Sequence, residues 1–428
     1  MAERKTVLVF PAGTEIAFEI HAALSRSKFV RLIGATSVPC HANLVFETCV
    51  EGAPYADDPA LVDYMNRVID EYGVDYIYPA HDSAMLALSE ARDRLHAGLI
   101  APAPETVRIC RDKTRTYAFL AGADYLPAFY AGVEDVPAYP VFIRPAVGQG
   151  AQGARRIGSR AALEEALADG QSYVLCEYLP GAEYTVDCFT DRHGVLRLVS
   201  PRSRERIRAG IAVRSRILPA DERIRGIAED LNRRLSFNGA WFFQVKRNAE
   251  GDYRLMEAAP RIAGTMGATR NLGANLPMLT LYNFWGYDVG LLLNDNELLV
   301  DRAFISRFQT DLRYSRVYVD YDDTLVLEDK VNTQLMAFLY QARNEGKELY
   351  LLSRHVTDVR EDMKRFGIAE NLFDAIYWVQ GGDTKVAHIL PDSIFIDDSY
   401  AERKRVRDAC GIPVFDLDMV ESLLNWRA

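Results

Sequence analysis

The sequence RVYVDYDDTLV at residues 316–326 constrains the fold of this 428-residue chain more than any other stretch. Its short apolar run, VYV, is followed by Asp320, Asp322 and Asp323. An apolar run of this length, bounded by a turn, predicts a buried parallel strand. Ligands of open α/β sheets bind at the carboxyl ends of strands, and crowded carboxylates repel unless a cation neutralises them. The stretch therefore predicts a Mg²⁺ site with one carboxylate free to act as a nucleophile, with a solvated acidic turn as the alternative.

Three later stretches also place polar side chains at the ends of predicted elements. LYLLSR predicts a strand that ends in Ser353, and GGDTK places Lys385 at the start of an apolar helical pattern. IFIDDS predicts a third strand, which ends in Asp397 and Asp398. Because the carboxyl ends of parallel strands meet at one edge of a sheet, these side chains are the parts that a phosphoryl-transfer site needs.

Each of these residues has an expected role in such a site. Asp320 would attack phosphorus, and Asp322 would protonate the leaving oxygen and later activate water. Ser353 would donate to a phosphate oxygen, and Lys385 would neutralise charge. The expected metal ligands are Asp320, Asp322, Asp397 and Asp398.

In this order the motifs resemble those of the haloacid-dehalogenase superfamily, and the resemblance covers the last part of the chain, residues 312–428. It implies a doubly wound α/β domain, an aspartyl-phosphate mechanism, Mg²⁺ dependence and phosphatase activity. The gaps between the motifs are too short for a cap domain. We therefore expect an open site, suited to a large substrate or to one that a neighbouring domain delivers.

Composition limits the classes of partner. The net charge of −10 argues against binding to nucleic acids and against attraction to anionic membranes. The apolar runs are far shorter than the ~18 residues that a membrane-spanning helix needs, and the opening MAERKTVLVF is too short in apolar residues for a signal peptide. Six cysteines without CxxC spacing indicate free thiols, so we expect a reduced, cytoplasmic protein.

The first hundred residues alternate between strand and helix patterns, which predicts a Rossmann-like parallel α/β domain at residues 1–104. PAGT after the first predicted strand is a poor match to GxGxxG, so we predict no nicotinamide site. Thr14, Glu15, His81 and Asp82 follow predicted strands and lie where a substrate would bind, but helix capping is the favoured role for each.

The middle of the chain contains features of a phosphate site. YPVFIRP predicts a strand that delivers Arg144, and Gly148, Gly150 and Gly153 follow within GQGAQG. Glycines let backbone N–H groups approach phosphate oxygens, and a cation nearby neutralises them. The loop lacks the GK[ST] of a Walker motif, and an ordinary hairpin turn is an equally good interpretation of the glycines alone.

Two further strands carry oxygen ligands. AWFFQVK places Gln244 near the end of one strand, and RLMEAAPR places Glu257 and Arg261 on or after the returning strand. The NAEGDY turn between them predicts a β-hairpin with Gln244 opposite Glu257. Hard oxygen ligands beside nucleotide phosphates favour Mg²⁺ or Mn²⁺.

Together these features resemble the ATP-grasp superfamily, in particular its carbamoyl-phosphate synthetase and biotin carboxylase branch. The resemblance implies an α+β ATP-grasp domain, here residues 105–305, after the Rossmann-like unit. It also implies that ATP phosphorylates a small-molecule carboxylate and that an amine attacks the acyl phosphate. The implied ATP-binding residues are Lys113 and Arg144 at the phosphates, with Gly148, Gly150 and Gly153 in the glycine-rich loop. Glu177, Tyr178 and Leu179 would line the adenine, and Glu183 would bind the ribose. The implied metal ligands are Gln244 and Glu257, and Arg261 would steady the transferred phosphate.

Two residues depart from the pattern of that family. Arg144 stands where lysine is usual, and arginine binds phosphate in a bidentate way. Ala259 stands in EAAPR where the family usually has asparagine, and alanine has no ligand atom for a metal. The alternative to a ligase is therefore a degenerate nucleotide-binding module that regulates an active phosphatase.

The segment SPRSRERIRAGIAVRSR, residues 200–216, contains six arginines in an acidic chain. Solvated strands account for most of them. A basic run beside an ATP site also suits an anionic substrate, and Arg204, Arg206 and Arg214 are the candidates.

The sequence as a whole predicts a bifunctional α/β enzyme. An ATP-dependent carboxylate–amine ligase would be joined to an Mg²⁺-dependent phosphatase acting on a related phosphorylated substrate or product. The sequence names neither the carboxylate, the amine nor the phosphoester, because a fold does not determine its substrate. Whether the chain forms a homo-oligomer is left open.

Overall fold

The computed structural model describes residues 4–148, 150 and 152–427. Within the first hundred positions of the chain, five strands form a parallel sheet. Its strands are β1 (Lys5–Phe10), β2 (Val30–Thr36), β3 (Thr48–Glu51), β4 (Tyr76–Pro79) and β5 (Gly98–Leu99). The helices of this part are α1 (Glu15–Leu24), α2 (Leu61–Tyr72), α3 (Asp82–Glu90) and α4 (Pro104–Arg111). The strand order is β3-β2-β1-β4-β5, so the order reverses between β1 and β4, where doubly wound sheets bind ligands.

Burial on both faces explains the composition of the central strand. Val7, Leu8 and Val9 of β1 are fully buried, with odd and even positions packing into different apolar clusters. Strands covered by helices on both faces are apolar throughout rather than alternating. This confirms the predicted parallel α/β character of the opening residues.

Antiparallel sheets follow in the next part of the chain. Its strands are β6 (Val141–Pro145), β7 (Arg155–Ile157), β8 (Tyr173–Glu177), β9 (Glu183–Thr190), β10 (Leu196–Ser203), β11 (Arg206–Arg208), β12 (Ile211–Arg216), β13 (Gly239–Arg247), β14 (Tyr253–Ala259) and β15 (Leu299–Asp301). Its helices are α5 (Lys113–Phe119), α6 (Arg160–Leu167), α7 (Glu222–Arg234), α8 (Gly267–Asn271) and α9 (Leu276–Phe284). The strands form sheets in the orders β10-β9-β13-β14, β7-β6-β8 and β11-β12-β15. Mixed helices and antiparallel strands give the α+β character that the sequence predicts here.

Asp112 separates two consecutive helices. Arg111 ends α4, and Asp112 caps α5. The Asp112 side chain accepts from the backbone N–H groups of Thr114 at 2.8 Å and Arg115 at 3.3 Å. This cap separates the two helices because it satisfies the first N–H groups of α5.

The described residues up to Phe304 form one compact unit, and those from Ile305 onward form a second. The predicted boundary before residue 312 falls close to this division. The predicted separation of residues 1–104 from residues 105–305 stays a prediction, although the parallel sheet lies wholly within residues 1–104.

The second unit contains another parallel sheet. The strands of this unit are β16 (Arg316–Val319), β17 (Val326–Leu327), β18 (Lys330–Val331), β19 (Glu348–Ser353), β20 (Ala375–Trp378), β21 (Ser393–Ile396) and β22 (Val414–Phe415). Its helices are α10 (Thr333–Asn344), α11 (Val359–Arg365) and α12 (Tyr400–Cys410). The main sheet has the order β20-β19-β16-β21-β22, and β17 and β18 form a short hairpin. Central β16 pairs in parallel with β19 and β21, so the ends of these three strands meet at one edge.

In the part of the chain that the structure describes, every helix is too short or too polar to cross a lipid bilayer.

Candidate active sites

A cavity of about 490 Å³ in the first unit receives side chains from both the parallel and the antiparallel sheets. The loops after β1 and β4 contribute Thr14, Glu15, His81 and Asp82. Capping is also present, because the Thr14 hydroxyl accepts from the N–H of Ala17 at 3.1 Å. Thr14 and His81 therefore combine the favoured capping role with a place in the cavity wall, whereas Glu15 and Asp82 are the first residues of α1 and α3.

Two cations lie at one part of the wall. Lys113 follows the cap of α5, and burial lowers its pKa while the nearby carboxylate of Glu257 acts in the opposite direction. Arg144 is 7% exposed, lies over the ring of Tyr117 at 5.4 Å and donates to its hydroxyl. Its Nε is buried without a hydrogen-bond acceptor among the described residues. A desolvated cation pair of this kind suits an anionic ligand.

The glycine-rich loop connects β6 and β7, which pair as an antiparallel hairpin. Gly148 and Gly150 line the cavity, and Arg111 anchors the loop by donating to the Gly148 carbonyl at 3.0 Å. Gly150 and Gly153 have φ angles of 60° and 72°, which favour glycine. The two interpretations of the glycines are thus compatible, since the loop is a hairpin turn that also lines the cavity.

A second recess of about 30 Å³ adjoins the cavity and shares Phe142, Arg144, Lys246 and Met256 with it. Its other walls include the three residues expected to line the adenine, namely Glu177, Tyr178 and Leu179. β8 ends at Glu177, whose Oε1 accepts from the backbone N–H of Ala128 at 2.9 Å.

The predicted oxygen ligands meet across a hairpin. Gln244 on β13 is the register partner of Glu257 on β14, and both line the cavity. Ala259 instead packs with Phe242 and Ala263 in a small apolar cluster. The hairpin therefore offers one amide oxygen and one carboxylate, a donor set that fits Mg²⁺ or Mn²⁺ completed by phosphate oxygens.

Arg261 already holds an acidic partner. Its Nε and Nη2 donate to the two carboxylate oxygens of Asp82 at 2.5 and 2.7 Å, and its Nη1 donates to the Ile262 carbonyl at 3.0 Å. Burial acts to raise the pKa of Asp82, but the charge and hydrogen bonds of Arg261, with Arg111, bring it down to about 2. Arg261 thus joins the antiparallel part to the parallel sheet, and its predicted contact with phosphate stays a prediction.

The three arginines proposed for substrate binding separate in the structure. Arg204 is 8% exposed, lines the cavity and lies 2.7 Å from Glu183, the residue expected at the ribose. Arg206 and Arg214 lie outside the cavity, where both pair with Asp301. They lie on β11 and β12, and Asp301 on the neighbouring strand β15 neutralises them together with Glu205.

Sequence reasoning missed Arg202 and Arg302, which both line the cavity. Arg202 is fully buried and forms two hydrogen bonds of 3.0 Å with Asp187. Period-two alternation was a usable signal, because Arg202 and Arg204 are two residues apart in an extended segment and share a face. Arg302 follows the short strand β15, and nothing in its local sequence marks it.

In the second unit Lys385 joins two of the predicted carboxylates. Its Nζ lies 2.5 Å from Oδ1 of Asp320, which follows β16, and 2.6 Å from Oδ2 of Asp397, which follows β21. All three side chains are at most 8% exposed. Burial raises the pKa of Asp320, with the charge of Asp397 adding to this and Lys385 opposing it.

Three carboxylates could share a cation at this edge of the sheet. Oxygen atoms of Asp320, Asp397 and Asp398 lie within 4.8 Å of one another. Three negative charges beside one lysine leave an excess of negative charge, so this donor set fits Mg²⁺. The Thr324 hydroxyl lies 3.3 Å from Oδ1 of Asp398 and accepts from the Asp398 N–H at 3.0 Å, which fixes this loop.

The structure does not bring the side chain of Asp322 into this carboxylate group. Its Oδ1 lies 2.6 Å from Nδ1 of His355, a partner that the sequence analysis did not identify. His355 follows β19 and donates its backbone N–H to the hydroxyl of the buried Ser353 at 3.0 Å. Asp322 and Ser353 therefore lie beside the cluster and are linked through one histidine.

Comparisons with known proteins identify the fold of the first unit. Residues 169–297 match the model of a family described as "ATP-grasp in the biosynthetic pathway with Ter operon". No curated protein sequence matches the chain.

Solved structures give the same result for the fold. Biotin carboxylase from Campylobacter jejuni is 16% identical, with 68% of this chain and 74% of that chain covered and a TM-score of 0.57. N5-carboxyaminoimidazole synthetase from Staphylococcus aureus, complexed with ADP, is 13% identical, with 68% of this chain and 81% of that chain covered and a TM-score of 0.58. L-amino acid ligase from Bacillus licheniformis is 17% identical, with 66% of this chain and 74% of that chain covered and a TM-score of 0.53. The chain therefore contains an ATP-grasp fold, whereas the likeness of residues 312–428 to the haloacid-dehalogenase superfamily stays a prediction.

Proposed function

We propose that the first unit is an ATP-dependent carboxylate–amine ligase that forms ADP. The observation that carries this proposal is the register pairing of Gln244 with Glu257 on the wall of a cavity that Lys113 and Arg144 also line. The residues proposed as metal ligands and as phosphate-binding cations thus line the same cavity as glycines of the hairpin. The similar solved structures support the proposal, since they include a complex with ADP and an amino acid ligase.

ATP would supply the phosphoryl group that activates the carboxylate substrate. Lys113 and Arg144 would hold its phosphates, and the N–H groups of the glycine-rich hairpin would contact them. Gln244 and Glu257 would hold Mg²⁺ or Mn²⁺ against phosphate oxygens. The amine would then attack the acyl phosphate carbon, so that an amide bond forms as the bond to phosphate breaks.

We propose that the second unit is a phosphohydrolase, because Asp320, Lys385 and Asp397 are buried together at the ends of adjacent strands. Asp320 would attack phosphorus, and Lys385 would neutralise the phosphate charge. Asp322, held by His355, would donate a proton to the leaving oxygen and later take one from water. Mg²⁺ would supply charge neutralisation, with Asp320, Asp397 and Asp398 as side-chain ligands.

The ligase proposal is tested by ADP release from MgATP in the Asp320→Asn protein, which removes the proposed phosphohydrolase activity. Pools of small carboxylates and amines are supplied together. We expect ADP only with particular pools, and we expect Glu257→Gln in the same background to reduce the rate by about 10²-fold or more. ATP bound without ADP release from any pool would instead favour a regulatory nucleotide-binding module, which the apolar packing of Ala259 also suits.

The phosphohydrolase proposal is tested with p-nitrophenyl phosphate and Mg²⁺. Asp320→Asn should abolish hydrolysis because it removes the nucleophile. The matched control is Asp323→Asn, since Asp323 is exposed, has a φ of 52° that asparagine tolerates, and lies outside the carboxylate cluster. Equal hydrolysis by the Asp320→Asn protein and the wild type would refute the proposed nucleophile.

A further inference from the structure

The cavity of the first unit has more positive than negative side chains. Among its described lining residues are seven Lys and Arg against four Asp and Glu, in a chain of net charge −10. Three arginines already have acidic partners, in the pairs Arg202–Asp187, Arg204–Glu183 and Arg261–Asp82. Lys113 and Arg144 both lie close enough to Glu257 for its negative charge to act on them. Lys246 lies 4.0 Å from Glu183. Arg302 is then the remaining cation, and it has no role in the proposed ATP site.

Arg302 and Glu15 both lie near Gly264 on the wall of the cavity. A Cβ added to Gly264 would be 3.7 Å from Nη1 of Arg302 and 4.0 Å from the Cβ of Glu15. The Nη1 atom is buried and has no hydrogen-bond acceptor among the described residues. A guanidinium has five donors in a planar fork, which matches the two oxygens of a carboxylate or phosphate.

Neighbouring charges do not balance Arg302. Arg202 donates through Nη1 to the hydroxyl of Thr265, the residue after Gly264, but Asp187 already neutralises it. The charge of Arg302 acts on the carboxylate of Glu19, but Arg270 lies 3.6 Å from that carboxylate. Arg302 itself forms no ion pair with a carboxylate of the described residues.

We propose that Arg302 binds an oxyanion group, a carboxylate or a phosphate, on the amine substrate of the ligase. This inference rests on the proposed function of the first unit. Glu15 is exposed and also approaches Gly264, so it supplies a counter-charge for the ammonium group of the same molecule. An amino acid or a phosphorylated amine fits this pair of charges, whereas an amine without an oxyanion leaves Arg302 unpaired.

The test compares three sets of amines in the ADP-release assay: the standard amino acids, their decarboxylated amines, and O-phosphoethanolamine. The variants are Arg302→Gln, Arg302→Lys and the control Arg216→Gln. Arg216 lies on β12, next to β15, and pairs on the surface with Glu205 and Glu297. All variants are made in the full chain with the Asp320→Asn substitution.

We expect ADP release with amines that carry an oxyanion and not with decarboxylated amines. Amino acids and phosphoethanolamine distinguish the carboxylate from the phosphate. Arg302→Gln should lower kcat/KM for the active amine by about tenfold or more, with the KM for ATP unchanged. Arg302→Lys should lose less, and Arg216→Gln should match the parent. Equal activity with decarboxylated amines, or an Arg302→Gln protein with unchanged kcat/KM, would overturn the inference.

A binding measurement separates failure of this inference from failure of the ligase proposal. If no amine supports ADP release, the ligase proposal fails, and thermal unfolding with Mg²⁺ and a non-hydrolysable ATP analogue decides the anion site. A rise in Tm with oxyanion-bearing amines that Arg302→Gln abolishes would still support the site. No rise in Tm, or an equal rise in Arg302→Gln, would exclude it.

Discussion

Several polar residues of the first unit serve two purposes at once. Thr14 and His81 cap helices, and Asp82 begins one, yet all three line the cavity. The physical reason is that a helix following a parallel strand begins at the carboxyl edge of the sheet, where ligands bind. Capping and binding are therefore not competing interpretations at such positions.

The Asp82–Arg261 pair makes stability depend on pH. The folded-state pKa of Asp82 is lowered to about 2, so the pair stabilises the protein above the unfolded-state pKa of about 3.9. The stabilisation, on the order of 2 kcal/mol, is lost as pH falls from about 4 towards 2. We expect Asp82→Asn to destabilise the protein at neutral pH, because it leaves Arg261 buried without its charge partner.

Urea unfolding of the wild type and Asp82→Asn at several pH values between 6 and 3 measures this effect. The difference in unfolding free energy should shrink as pH falls, because Asp82 becomes protonated in the unfolded state and then in the folded state. A difference that does not vary with pH would show that the pair contributes no charge-dependent stability.

At the scale of elements, the glycine-rich hairpin depends on the close packing of Gly153 against Pro145. A Cβ at Gly153, whose φ is 72°, would lie 2.8 Å from Cγ of Pro145. Gly170 has the same φ of 72° but nothing within 4 Å of its Cβ position. Alanine substitutions at these two glycines therefore separate the cost of the backbone conformation, which both share, from the cost of the contact with Pro145, which only Gly153 makes.

We expect Gly153→Ala to raise the KM for ATP more than Gly170→Ala does, because only the first displaces the hairpin from Pro145. The backbone conformation costs about 1 kcal/mol in either variant. ATP titrations of both variants in the ADP-release assay provide the comparison. Equal KM values would mean that the hairpin absorbs the added methyl group without moving its N–H groups.

At the scale of the whole molecule, each unit has a parallel sheet in which the strand order reverses beside the first strand. The orders are β3-β2-β1-β4-β5 and β20-β19-β16-β21-β22. Each unit also has its own apolar core, with one cluster around β1 and another around β16. Separate cores and separate candidate sites predict that each unit responds to its own ligand.

We expect two unfolding transitions in calorimetry. A non-hydrolysable ATP analogue with Mg²⁺ should stabilise the first unit, by about 2.7 kcal/mol at a hundred times Kd, and Mg²⁺ alone should stabilise the second. Glu257→Gln should reduce the first shift and Asp397→Asn the second, while Asp323→Asn should leave both unchanged. A single transition that responds to both ligands would contradict independent units.

The sequence by itself determined the types of element and the side chains at their ends. Buried strands and their terminal residues, such as Asp320 after β16 and Asp397 after β21, follow from local apolar patterns bounded by polar residues. The hairpin that pairs Gln244 with Glu257 was equally predictable, because a short turn determines the register of its strands. These predictions need only neighbouring residues.

Only the tertiary structure decided which charges meet. Arg261 and its partner Asp82 are 179 residues apart, and the pairing of Asp322 with His355 spans 33 residues. Arg302, which has no local signal, reaches the cavity because β15 pairs with β12. Side-chain partners across such distances depend on how whole sheets pack, and no periodicity along the chain encodes that packing.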